Sequence, residues 1–184
     1  MKKTLLLTTL IMSTILSINS QNTNVEKINA DSLINNIDKY SNKNIEIEGR
    51  IVHVCGVDGK KMKLKTKGGE TIKIILSDST LCFDKVYNQK TVIIQGKITE
   101  AKLKKLLIDS LGKEKILLCH IDNSPCKDKE WVENKKNSGV ADSLSEKDTE
   151  RLRTKMLQTG KDYVSVFTMI ADKVTIKEEE KKCP

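Results

Sequence analysis

Apolar and polar positions alternate along residues 44–56, where Ile45, Ile47 and Ile51 are interleaved with Glu46, Glu48 and Arg50. A period of two is the signature of a half-buried β-strand. Gly49 falls on the apolar face, which predicts a bend, a bulge or the close approach of another backbone. Beyond it, Val52 and Val54 take one face, while His53 and Cys55 continue the phase of the isoleucines. Two registers fit. An unbroken phase turns His53 and Cys55 inward. A bulge near Gly49 and Arg50 turns the valines inward and the His–Cys pair outward.

Residues 31–40 place Leu33, Ile34, Ile37 and Tyr40 at helical spacing, with Asn29 or Asp31 as cap. Asp58-Gly59 is a hairpin turn, after which Lys61, Lys63 and Lys65 alternate with Met62, Leu64 and Thr66. Gly68-Gly69 marks the next turn, and Ile72, Ile74 and Leu76 the next strand. The strands 45–55, 61–66 and 71–76 therefore form a meander. Residues 77–88 interrupt the pattern, 91–98 read as a fourth strand, and 102–109 and 115–121 as a fifth and a sixth. Residues 122–141 read as irregular. Ser143 or Ser145 is expected to cap a helix running to about Leu157, with Gly160 as terminator, followed by a hairpin of 163–169 and 174–176 turning over 171–173. A long first strand, a meander and an interruption before strand four predict a mainly β fold, a five-stranded OB-fold barrel. An N-terminal helix precedes the barrel, and a C-terminal helix plus β-hairpin extension follows it.

Lys2 and Lys3 before the uncharged run 4–16 predict a signal peptide over 1–20, and hence a periplasmic or secreted protein. The expected division is then 21–121 as the OB-fold domain with its helix, and 122–184 as linker and extension. Past residue 20 no apolar run has membrane length. The net charge of +8 is concentrated in residues 43–115, with 16 Lys and Arg against 9 Asp and Glu. All five cysteines lie beyond the signal, where export permits disulfides and an odd number leaves one thiol over.

Taken together, a helix, the stretch IEIEGRIVHVCGVDGKKMKL, a strand ending VIIQGKI, and Gly160-Lys161-Asp162-Tyr163 before a late strand carry a resemblance. The chain resembles secreted Bacteroidetes-type OB-fold domain proteins of unknown function, most closely over 30–120. That likeness implies the OB fold and export, and it implies no activity.

Chemistry has few candidates. His53 and Cys55, two apart on one strand face, form a candidate pair for Zn or Cu, and a site needs a third and fourth ligand. Otherwise no cofactor is expected. Cys119 and Cys126 form a disulfide if their Cα atoms come within roughly 7 Å. A Cys55 nucleophile with His53 as base lacks an orienting third group, so the expected protein is not an enzyme. Lys61, Lys63, Lys65, Lys73 and Lys97, with Lys104 and Lys105, predict either a basic barrel face or a merely solvated one. A basic face would bind a protein partner or an anionic ligand. Nucleic acid is disfavoured because the first three strands carry no aromatic side chain on which a base could stack. The leading expectation is a non-enzymatic binding or accessory module. The rival is a metal or thiol redox protein working through His53 and Cys55.

Overall fold

The computed structural model describes residues 25–55, 57–78 and 82–177. The expected signal peptide and Cys183 lie outside them. The elements are β1 (Glu26–Lys27), α1 (Ala30–Asn35), a 3-10 turn (Ile37–Tyr40), β2 (Asn44–Val54), β3 (Lys61–Lys65) and β4 (Thr71–Leu76). A second 3-10 turn (Lys85–Tyr87) leads to β5 (Thr91–Lys104), α2 (Lys105–Lys113), α3 (Lys129–Asn137), α4 (Ala141–Thr159) and β6 (Tyr163–Ile176).

Strands β2, β3 and β4 are an antiparallel meander. β4 then pairs in parallel with β6, β6 antiparallel with β5, and β5 antiparallel with β2. The sheet thus closes on itself in a ring, with β1 added alongside β2. The fold is mainly β, and among the described residues no helix is long and apolar enough to cross a membrane.

Alternation fills the ring. Ile45, Ile47, Ile51, Met62, Leu64, Ile72, Ile74, Val92, Ile94, Ile98 and Met169 are buried together with Leu33 of α1. The phase of β2 does change, later than Gly49. The pairing with β3 steps from Ile51↔Leu64 to His53↔Lys63, so the bulge sits at Val52. Val54 is consequently buried and His53 half-buried. Gly49 keeps the inward phase against Leu64.

β5 and β6 pair from Val92↔Ile176 to Lys104↔Tyr163. One half of this ribbon closes the ring. The other half runs beyond it and carries a second core, in which Val164 and Val166 pack on Ile108 and Leu111 of α2 and on Leu152 and Met156 of α4. The switch between cores lies at Thr168 and Met169, consecutive residues that are both buried.

Several expectations are corrected. The ring's fifth strand is β6, not residues 102–121. β5 runs on to Lys104, where α2 begins, and 115–121 contributes only an isolated bridge, Leu118↔Pro125. The helix start was hidden because Lys104 makes no side-chain cap. The closing hairpin is one continuous strand. Asp172 is the extra residue of a bulge, between Gly96↔Ala171 and Gln95↔Lys173, and not the tip of a turn. The stretch read as irregular holds α3, a polar helix whose cap, Asp128, accepts from the Trp131 amide at 2.9 Å. The first helix is split into α1 and a 3-10 turn at Asn36. Asn29 caps α1, while Asp31 accepts from the Gly68 amide and ties α1 to the β3–β4 turn.

Candidate functional site

The connection between β5 and β6 folds back over the outer face of β3 and β4. Lys61, Lys63 and Lys73 point out of that face because Met62, Leu64, Ile72 and Ile74 fill the ring. Lys61 is taken up structurally. Its Nζ donates to Asp122 Oδ2 at 2.5 Å and to Ser124 Oγ at 3.2 Å, with the paired side chains only 14% and 15% exposed. Burial opposes the charge on Asp122, yet hydrogen bonds from Lys61 and from the Ser124 hydroxyl and amide outweigh it and hold the carboxyl below its ordinary value. Lys61 is raised for the same reason: its bond to Asp122 overcomes the burial penalty.

Lys63 and Lys73 face each other in register. Like charges directly opposite are destabilising. Burial depresses the Lys73 ammonium, and Lys155, Arg151 and Lys63 depress it further. Lys63 is lowered by burial and by Arg151, with Cys119 acting in opposition.

β4 and β6 pair only over Ile74–Leu76, so before Ile74 the two strands part. A cavity of about 270 Å³ opens there, between residues 71–73, the first half of β6 and α4. Lys73, Arg151 and Lys155 line it together with Ile34, Ile37 and Phe167. Thr71, Ser165 and Thr168 add hydroxyls. Arg151 is pre-positioned, with Nη2 donating to the buried Asn123 Oδ1 at 3.0 Å and to Asp148 at 3.2 Å. Lys73 and Lys155 make no ion pair with any described residue.

Arg151 and Lys155 were not among the residues singled out from sequence. The available signal was their i, i+4 spacing beside the buried Leu152 and Met156, because a same-sign pair at that spacing costs helix stability. The other expected lysines do not converge here. Lys97 is on β5, which pairs with β2 and β6 and with neither β3 nor β4. Lys65 is exposed near the β3–β4 turn, and Lys105 pairs loosely with Asp109 at 3.9 Å.

His53 meets a partner that sequence reading did not supply. Its ring stands 4.5 Å, centroid to centroid, from that of His120, edge to face. Burial, then the charge of Lys63, lowers both imidazoles. Cys55 borders a separate hollow with Cys82 and Phe83. Among the described residues no group of three or more His, Cys, Asp or Glu is placed to hold a metal ion. Cys119 and Cys126 are free thiols. The turn pairs the Cys119 amide with Ser124 O and the Cys126 amide with Leu117 O. Burial raises the Cys119 thiol.

No protein-family model matches the chain, and no curated protein is significantly similar to it.

Proposed function

We propose that this chain is an exported, non-enzymatic OB-fold binding module, and that it takes a small anion with an apolar body in the cavity between β4, β6 and α4. The strand order supports the OB reading. A meander, a parallel β4–β6 pair and closure of β5 on β2 are the pairings such a barrel requires. The long β5–β6 connection is then an elaborated loop lying over the sheet face that OB folds use for ligands.

One observation carries the ligand reading. Lys73, Arg151 and Lys155 converge on a concave, half-buried place with too little negative charge to balance them. A ligand anion relieves that repulsion, and low-dielectric walls strengthen its attraction. Ile34, Ile37 and Phe167 in the lining suit a hydrocarbon body. A concave, walled site favours a small molecule over a protein surface. The metal reading is weaker here, because Lys63 adds positive charge beside both imidazoles.

Calorimetric titration of the protein with octanoate and octyl phosphate, and with octylamine as control, tests this. The anions are expected to bind, more weakly as salt rises, and the amine is not. The double variant Lys73→Gln/Lys155→Gln should bind at least about tenfold less tightly, the equivalent of one lost charge-assisted contact. Equal affinity in that variant would sink the reading.

A further inference from the structure

A second cavity, about 430 Å³, lies at the C-terminal end of β3, between residues 48–50 in the middle of β2, the β3–β4 turn and the start of β5. It shares no lining residue with the first. Arg50, Lys65 and Lys67 stand around it, and none makes an ion pair with a described residue. Arg50 and Lys65 are directly opposite in register, a like-charge cross-strand pair that costs stability unless a counter-charge lies between. Of the two acids at the rim, Glu48 is already held by Lys177 at 2.9 Å and Asp31 accepts from the Gly68 amide at 3.1 Å.

An independent observation points inward. Thr66 is only 5% exposed and lines this cavity, and its hydroxyl has no hydrogen-bond partner among the described residues. Buried hydroxyls are ordinarily paired, so this one leaves the wall of the cavity with a bonding capacity that no described residue fills. The rim is open to close approach. Gly69 has φ +93°, and a Cβ built on it would meet nothing nearer than Lys65 Cε at 3.8 Å.

We propose that this cavity is a second ligand site, taking a phosphate or sulfate monoester carried on a polar, sugar-sized body. Arg50 presents a planar fork that matches an oxyanion in two-point fashion, Lys65 and Lys67 add point charges, and Thr66 supplies the hydroxyl. The volume lies within the range of small-molecule sites and exceeds what a bare oxyanion fills. The charged and glycine-lined walls match a hydroxylated body better than a hydrocarbon.

The full chain is titrated calorimetrically with inorganic phosphate, inorganic sulfate, glucose 6-phosphate, glucose 6-sulfate and glucose. The monoesters are expected to bind more tightly than the inorganic ions, and glucose to be silent. The two ester arms tell a phosphorylated source from a sulfated one, and binding of either supports the site. Arg50→Gln should weaken the monoesters by about tenfold or more. Thr66→Val, which removes an unpaired hydroxyl at constant shape and so leaves the fold intact, should weaken them measurably while octyl phosphate binding is unchanged. Lys73→Gln should leave the monoesters unaffected, so failure at one cavity is distinct from failure at the other. Silence of both monoesters, equal binding of inorganic ions, or indifference to both Arg50→Gln and Thr66→Val would overturn the proposal.

Discussion

Gly96→Ala is the sharpest test of the ring. Gly96 sits in β5 beside the β6 bulge, opposite Ala171. A Cβ built there lies 2.1 Å from the Ile170 carbonyl oxygen, 2.8 Å from Ala171 Cα and 2.9 Å from the Ile170 carbonyl carbon. Ordinary carbon–oxygen contacts are about 3.3–3.6 Å, so the strands must separate by more than an ångström. All three atoms are backbone, and rotamer changes cannot relieve them. Overpacking costs about 1–3 kcal/mol where side chains yield, and more where they cannot, against a gain of roughly 0.5–1 kcal/mol for replacing glycine in a strand. The expected net loss is about 3 kcal/mol, or roughly 6–12 °C in Tm for a domain of this size. Gly49 is the control. Its Cβ would meet Lys65 O at 3.2 Å and Leu64 Cβ at 3.3 Å, contacts that a few tenths of an ångström relieve. Gly49→Ala should stay within about 1 kcal/mol of wild type, and Gly49→Val should lose about 1–3 kcal/mol. Urea midpoints at constant slope report all three. A Gly96→Ala protein within about 0.5 kcal/mol of wild type would refute the close approach of β5 to β6.

Asp122→Ala should cost about 2–3 kcal/mol, somewhat below the figure for fully buried pairs, because Lys61 is left charged and largely desolvated. Lys61→Met/Asp122→Leu should recover most of that loss by urea titration, and no recovery would mean the pair does more than compensate itself. Both histidines are lowered in the folded protein, so below about pH 6.5 the unfolded chain binds more protons and stability falls as pH drops. The double variant His53→Gln/His120→Gln should flatten that decline between pH 7 and pH 5; an unchanged slope would show that burial and Lys63 do not oppose the charging of these rings.

The meander was legible because its turns are written in glycine. Gly59 and Gly69 both take positive φ, and the lysines of β3 and β4 alternate cleanly with Met62, Leu64, Ile72 and Ile74. Which strand closes the ring was not legible. Asp172 between two apolar runs reads as a turn, and only the partner strand reveals it as a bulge residue. α2 was misread because Leu106 and Leu107 are exposed while Ile108 and Leu111 are buried, so the apolar cluster 106–108 does not map onto one helix face. Of the first cavity, Lys73 was within reach of strand periodicity. Arg151 and Lys155 were not, since their proximity to Lys73 comes from the fold of the connection over the sheet. His120 meets His53 for the same reason, from a stretch without regular secondary structure.

The parallel seam between β4 and β6 has a consequence for how the chain comes to be folded. During synthesis the meander and β5 are complete before α2, α3 and α4 have been made, and β6 comes after all of them. Until then β4 and β5 each present a row of unsatisfied amides and carbonyls, and the face of Ile72, Ile74, Ile94 and Ile98 has no lid. Open edges of that kind invite pairing with a neighbouring chain. The lysines that decorate the outer side of these strands then take on a second meaning. Lys73 on β4 and Lys97 on β5 are charges of the type that keep bare edges apart, guarding the nascent molecule through the interval before its last strand arrives.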